Sequence, residues 1–235
     1  MGEIMNLNKE KWLKKDISEF NKYLESIKRP DKIEFSKRVV NTQMDVLGIN
    51  NPTCKDIAKE IHKGNFIDFL ENNDYKYYEN TLVSAYLINY IKNVKEKEKY
   101  INLLYMDNWA TVDALTFNVK NQEKEFIDLS KKYLKNKDTF KRRVGVRILF
   151  SYTSGEYINE VLKIIDGLKK EKEYYVNMAV AWLGCELMIK NRDKFLEYLK
   201  NNNLNDFTIN KAISKCRESF RVSREDKEFL LKYKK

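Results

Sequence analysis

Proline and glycine are scarce in these 235 residues, with two prolines, Pro30 and Pro52, and seven glycines. So few turn-formers exclude a fold of many short strands joined by tight turns and leave helices as the default. Long apolar runs are missing as well. No stretch approaches the roughly 18 uninterrupted apolar residues of a membrane-spanning helix. The opening MGEIMNLNKEKWLKK lacks the apolar run of a secretory leader, and Asn6 stands where a myristoylation signal needs Ser or Thr. The expectation is a cytoplasmic protein without a membrane partner. Cysteine is limited to Cys54, Cys185 and Cys216, odd in number and far apart, which suits reduced thiols rather than a disulfide framework. His62 is the lone histidine, so the paired Cys/His spacings of a zinc site are missing, and no metal or other cofactor is expected.

What the chain has in excess is positive charge, +10 with a pI near 9.2. Such a balance points to an acidic partner, most often nucleic acid. The basic residues are mostly lysine in a chain also rich in Asn, Ile and Tyr, a bias that A/T-rich coding produces whatever the function. Charge alone therefore does not decide the partner.

The apolar residues recur at spacings of three and four, the mark of amphipathic helices. From Tyr78 to Ile91, Leu82, Tyr86 and Tyr90 form one stripe beside Val83, Leu87 and Ile91. The pattern returns from Trp109 to Val119, Phe140 to Tyr152, Tyr174 to Ile189 and Phe207 to Cys216, each time behind an aromatic. These openings lie roughly 31 to 34 residues apart, a period in the range of helical solenoids. Second helices fall between them, as at Glu123 to Leu134 and Glu156 to Leu168, and Asp107, Asp138 and Asp206 stand where helix caps are wanted. The first 75 residues are less regular, with helices expected near Lys9 to Ile27, Asp31 to Val40, Thr53 to His62 and Asn65 to Asn72. The whole of 1–235 reads as one all-α domain, in which 76–235 is a right-handed α-solenoid of HEAT-like helix pairs. One pair cannot bury its apolar face alone, so pairs stack and curve into a concave, basic face.

Three segments could carry chemistry. In Asp107-Asn108-Trp109-Ala110-Thr111-Val112-Asp113, Trp109 and Asp113 lie one turn apart on one helix face. A carboxylate beside an aromatic on a partly buried face needs a cationic partner or a catalytic reason, and the spacing leaves both open. The run Lys141-Arg142-Arg143-Val144-Gly145-Val146-Arg147 holds three of the nine arginines, and its Arg143 and Arg147 form a cationic stripe suited either to phosphate or to an ion pair. Trp182, one turn before Glu186, reads as core packing or as an aromatic face for a cation. Trp12 reads as the anchor of the N-terminal helix.

In their order these segments resemble the AlkD-like DNA alkylation repair family of HEAT-like-repeat DNA glycosylases. The resemblance rests on Trp109-x-x-x-Asp113, Arg143 in an aromatic-led basic helix, Trp182 after a paired-aromatic start, and Leu47-Gly48-Ile49-Asn50-Asn51-Pro52 followed by Ile57-Ala58-Lys59-Glu60-Ile61. It runs from about Asp31 to about Arg217. It implies a metal-free enzyme, acting as a monomer, that cleaves the N-glycosidic bond of cationic N3- or N7-alkylated purines in duplex DNA. Asp113 would stabilise the oxocarbenium-like sugar and help place the water, with Trp109 and Trp182 as aromatic walls. Arg143 would hold a phosphate, and Lys141, Arg142 and Arg147 would line the DNA. The sequence departs from the family's pattern where Gly184-Cys185 replaces a basic residue shortly after the second tryptophan, and at Cys54-Lys55. These departures bear on the phosphate grip more than on the carboxylate. A second reading keeps the repeat scaffold as a DNA- or protein-binding module without catalysis.

Overall fold

The computed structural model describes residues 5–235; the first four residues of the opening segment read above for targeting signals lie outside it. The chain is all-α, as the sequence predicts, with fourteen α-helices among the described residues and no strand beyond an isolated bridge between Asp45 and Tyr77. No described helix is long and apolar enough to cross a membrane. All three cysteines are free and buried.

The helices fall into two compact units, one up to Thr116 and one from Phe117 onward. The first holds α1 (Lys14–Ser26), α2 (Pro30–Val40), α3 (Asn51–His62), α4 (Phe66–Asn72), α5 (Tyr78–Ile88), α6 (Val94–Leu103) and α7 (Trp109–Asp113). Helix α1 begins five residues later than the periodicity suggests, because the Asp16 carboxylate accepts from the Leu13 N–H at 2.8 Å and from Lys9 Nζ at 2.6 Å, fixing a start inside the expected span. Trp12 is buried edge-on against Phe20 and Phe69, with ring centroids 6.1 and 5.0 Å away, and it anchors α1 to α4 as expected.

Helix α5 is the spine of this unit and packs against α3, α4, α6 and α7. It is buried nearly all round, so its polar side chains need internal partners. Glu79 is fully buried and accepts from the backbone N–H groups of Leu47, at 3.0 and 3.1 Å, and of Ile49, at 3.2 Å. Desolvation raises its carboxyl above the usual range, while these backbone donors pull it back. The turn that aims the donors depends on Gly48, at φ +76°, where a Cβ would come within 2.5 Å of the Arg29 carbonyl oxygen. The Leu47–Pro52 motif is thus a carboxylate cradle that opens α3, whose cap is Asn50 accepting from the Thr53 N–H at 2.9 Å.

The second unit holds α8 (Glu123–Leu134), α9 (Thr139–Leu149), α10 (Ile158–Asp166), α11 (Tyr174–Lys190), α12 (Arg192–Lys200), α13 (Asp206–Glu218) and α14 (Arg224–Phe229). Helix α11 packs against α9, α12 and α13, which is why its sequence is apolar on every face. Gly145 lets α9 approach α8 closely, and Ser130 Oγ donates to the Gly145 carbonyl at 2.8 Å across that contact. Asp138 caps α9 as expected, accepting from the Lys141 N–H at 2.7 Å. The other two expected caps are displaced by one residue. Asn108 accepts from the Thr111 N–H, and Asn205 from the Thr208 N–H, each at 2.9 Å, so Asp107 and Asp206 are free for other bonds.

Candidate nucleic-acid site

The expected helix from Trp109 to Val119 stops at Asp113. Its end is enforced from 25 residues upstream. Asn89, just past the end of α5, donates from Nδ2 to the Ala114 carbonyl at 2.9 Å and accepts from the Thr116 N–H at 2.7 Å. Both backbone groups that would have carried the helix onward are therefore taken. Lys97 completes the stop. Its ammonium, buried under α5, donates to the carbonyls of Ile88, at 2.8 Å, and Thr116, at 3.2 Å. Burial pushes the Lys97 ammonium down to about 8.

The start of α7 is held as firmly. Asp107 accepts from Thr42 Oγ1 at 2.7 Å, from the Gln43 N–H at 2.8 Å and from Asn108 Nδ2 at 2.9 Å, tying the helix to the chain that leaves α2. The Trp109 indole N–H donates to the Val39 carbonyl at 3.1 Å, and the Thr111 and Thr81 hydroxyls meet at 2.7 Å, joining α7 to α5. Trp109 and Asp113 are both half-buried at opposite ends of this five-residue helix. A side chain on so short and so constrained a helix has little freedom to move, which is what a group that must meet developing charge requires.

In the second unit the basic run of α9 splits into different roles. Arg142 forks onto Glu171, at 2.8 and 3.2 Å, and donates to the carbonyls of Asn136 and Lys137 at 3.0 and 2.8 Å. Its guanidinium closes the joint ahead of α9 and has little left to offer DNA. Arg143 is 4% exposed and donates to the Tyr175 carbonyl in the first turn of α11. A guanidinium so deeply placed has scant surface for a phosphate. Lys141 is half-buried, and burial pushes its ammonium down to about 8. Arg147 is half-buried, its guanidinium 4.5 Å from the centroid of Phe150. Phe150 in turn meets Trp182 edge-on at 6.3 Å.

Trp182 is 43% exposed, so the core-packing reading of this residue is overturned. Arg147, Phe150 and Trp182 form a continuous cation and aromatic layer across α9 and α11. The sequence placed Phe150 only as one more apolar position in the α9 pattern.

One further residue was not singled out in the sequence. Arg221 follows α13 and forks onto Glu186, one turn beyond Trp182, with the Nη1 to Oε2 contact at 3.1 Å. A cation therefore does reach α11 beside Gly184-Cys185, supplied from 35 residues downstream.

The family model described as "DNA alkylation repair enzyme" matches residues 20–216. Among solved structures the chain is similar to one titled "Predicted DNA alkylation repair enzyme from Enterococcus faecalis". That likeness has a TM-score of 0.64 at 14% identity and covers 82% of this chain and 98% of that one, so it speaks to the fold. A comparison with curated proteins gives no match. With the family model spanning most of its length, the chain belongs to the DNA alkylation repair enzyme family.

Proposed function

We propose that this protein is a DNA glycosylase that excises positively charged N3- and N7-alkylated purines from duplex DNA. The observation that carries the reading is the Trp109 and Asp113 pair on α7, fixed at its start by Asn108 and Asp107 and at its end by Asn89. A cationic alkylpurine is already a good leaving group, so the difficult charge is the one that develops on the deoxyribose. A fixed carboxylate stabilises that oxocarbenium-like sugar and orients the attacking water. In this reading Asp113 is that carboxylate and Trp109 is an aromatic wall beside it. In the second unit Trp182, with Phe150 and Arg147 behind it, offers DNA an exposed aromatic face beside a cation. Arg147 and Lys141 contact the backbone, and Arg143 positions α11.

The test is release of N7-methylguanine and N3-methyladenine from methylated duplex DNA by wild type and Asp113→Asn. Release by wild type, falling by roughly 10² to 10³ in the variant with DNA affinity retained, is the expected result. Binding without release by either protein makes the chain a repeat scaffold that has kept DNA and lost the chemistry.

A further inference from the structure

The connection between α13 and α14 carries features that the proposed catalysis does not use. Phe220 is fully exposed, the most exposed large apolar side chain among the described residues. Its loop is nonetheless held on both sides. The Ser219 N–H donates to the Lys215 carbonyl at 3.1 Å, the Arg221 N–H donates to Ser219 Oγ at 3.2 Å, and Val222 is buried. Ser223 caps α14 by accepting from the Asp226 N–H at 3.1 Å, and Arg221 clamps the loop to Glu186 on α11. The ring is thus presented to solvent by a pinned turn.

Within four residues of Phe220 along the chain lie three of the nine arginines, Arg217, Arg221 and Arg224. Arg217, Arg224 and Lys227 share an open cleft of about 330 Å³ between α13 and α14, together with Ser214, Glu218 and Glu228. Among the described residues none of these three cations has an ion pair; of the carboxylates nearby, Glu218 is taken by Lys215 at 2.8 Å, Asp226 by Arg192 at 2.7 Å and Glu186 by Arg221, while Glu228 shares the cleft with the three cations. An exposed aromatic beside uncommitted guanidinium groups fits a nucleotide, whose phosphate takes the forks while its base takes the ring. Phenylalanine has no donor or acceptor to read the edge of a paired base. Its use is the face of a base that has left the stack, or the gap left by one.

We propose that the α13–α14 corner is a DNA contact separate from the Trp109 and Asp113 site, in which Phe220 stacks on an unstacked base while Arg217, Arg224 and Lys227 hold the adjoining phosphates. This rests on DNA being the partner, and it does not need base excision to occur. Phe220 makes no packing contribution, so its replacement leaves the fold intact, and Phe220→Trp keeps the stacking face while adding a reporter.

The experiment measures binding of the full chain to three unmodified oligonucleotides: a single strand, a blunt duplex, and the same duplex with one bulged base. Phe220→Ala is expected to weaken the single-strand and bulged complexes about tenfold or more while changing the blunt duplex little. Phe220→Trp is expected to restore binding, and its added fluorescence should be quenched by the bulged duplex. Arg217→Gln with Arg224→Gln should lower the dependence on salt by about one to two phosphates. Equal affinities of wild type and Phe220→Ala for all three DNAs overturn the proposal. So does Phe220-dependent binding to an acidic polypeptide such as polyglutamate without Phe220-dependent binding to DNA. If methylated DNA yields no free base and the bulge preference still depends on Phe220, the excision reading falls and this contact stands.

Discussion

The indole N–H of Trp109 donates to the carbonyl of Val39 at 3.1 Å, so the aromatic residue that opens α7 is bolted to the last turn of α2. The bond gives Trp109 a structural role in addition to the aromatic wall proposed for it. Trp109→Phe, which keeps a ring and loses the donor, should destabilise the protein by about 1 kcal/mol in urea unfolding. Its base release should fall more than its DNA affinity, because the ring is no longer tethered. Wild-type stability and wild-type release in Trp109→Phe would mean that the tether does nothing.

Asn89 controls where α7 stops. Asn89→Ala removes two hydrogen bonds to the backbone just after Asp113 and should cost about 1 to 2 kcal/mol. The account further expects the turnover of methylated DNA to drop with little change in binding, since Asp113 then sits on a frayed helix end. Single-turnover release rates and urea midpoints measured side by side separate the two effects.

Lys97 gives the protein a pH signature. Its folded ammonium titrates near 8 and its unfolded one near 10.5, so across that interval the unfolded chain binds more protons. Stability therefore rises as pH increases through that window. Lys141, also lowered to about 8 by burial, acts with the same sign. Lys97→Met should remove part of the rise between pH 7 and 9.5, with unfolding free energies as the measurement. An identical slope in the variant would mean that Lys97 is not desolvated as the packing of α5 and α6 requires.

Glu79 is the buried keystone of the Leu47–Pro52 turn. Glu79→Ala leaves the Leu47 and Ile49 N–H groups without their acceptor and should cost about 3 kcal/mol or more. Gly48→Ala, at a left-handed φ and against the Arg29 carbonyl, should be destabilising through the same turn. Thermal unfolding of both variants reads the result.

Trp182 and Trp12 make a contrast within one residue type. Trp12→Ala empties a fully buried aromatic cluster and should cost about 3 to 5 kcal/mol. Trp182→Ala, at a half-exposed position, should change stability far less and weaken the binding of duplex DNA instead.

Much of the helical order was legible because it is local. The aromatics Tyr78, Trp109 and Tyr174 each stand at the first residue of a helix, with Phe140 and Phe207 one residue further in, and α8 and α2 fall where apolar spacing puts them. What was not legible depends on residues distant in the chain. The early end of α7 is dictated by Asn89, a polar residue in an apolar stretch with no visible partner. The cap Asn108 displaced Asp107 because Asp107 is drawn to Thr42 and Gln43, 65 and 64 residues away. Arg142 and Arg143 looked equivalent to Arg147 along the chain. Glu171 and the Tyr175 carbonyl take the first two inward, and only packing could reveal that. The Phe220 corner escaped notice because a turn carries no periodicity.

The central claim is that Asp113 is the charge that drives excision. Its most direct measurement is the single-turnover release of N7-methylguanine from methylated duplex DNA by Asp113→Asn against wild type, with duplex affinity measured on the same preparations. The account predicts a rate lower by roughly 10² to 10³ at unchanged affinity. Wild-type release matched by the variant would contradict it.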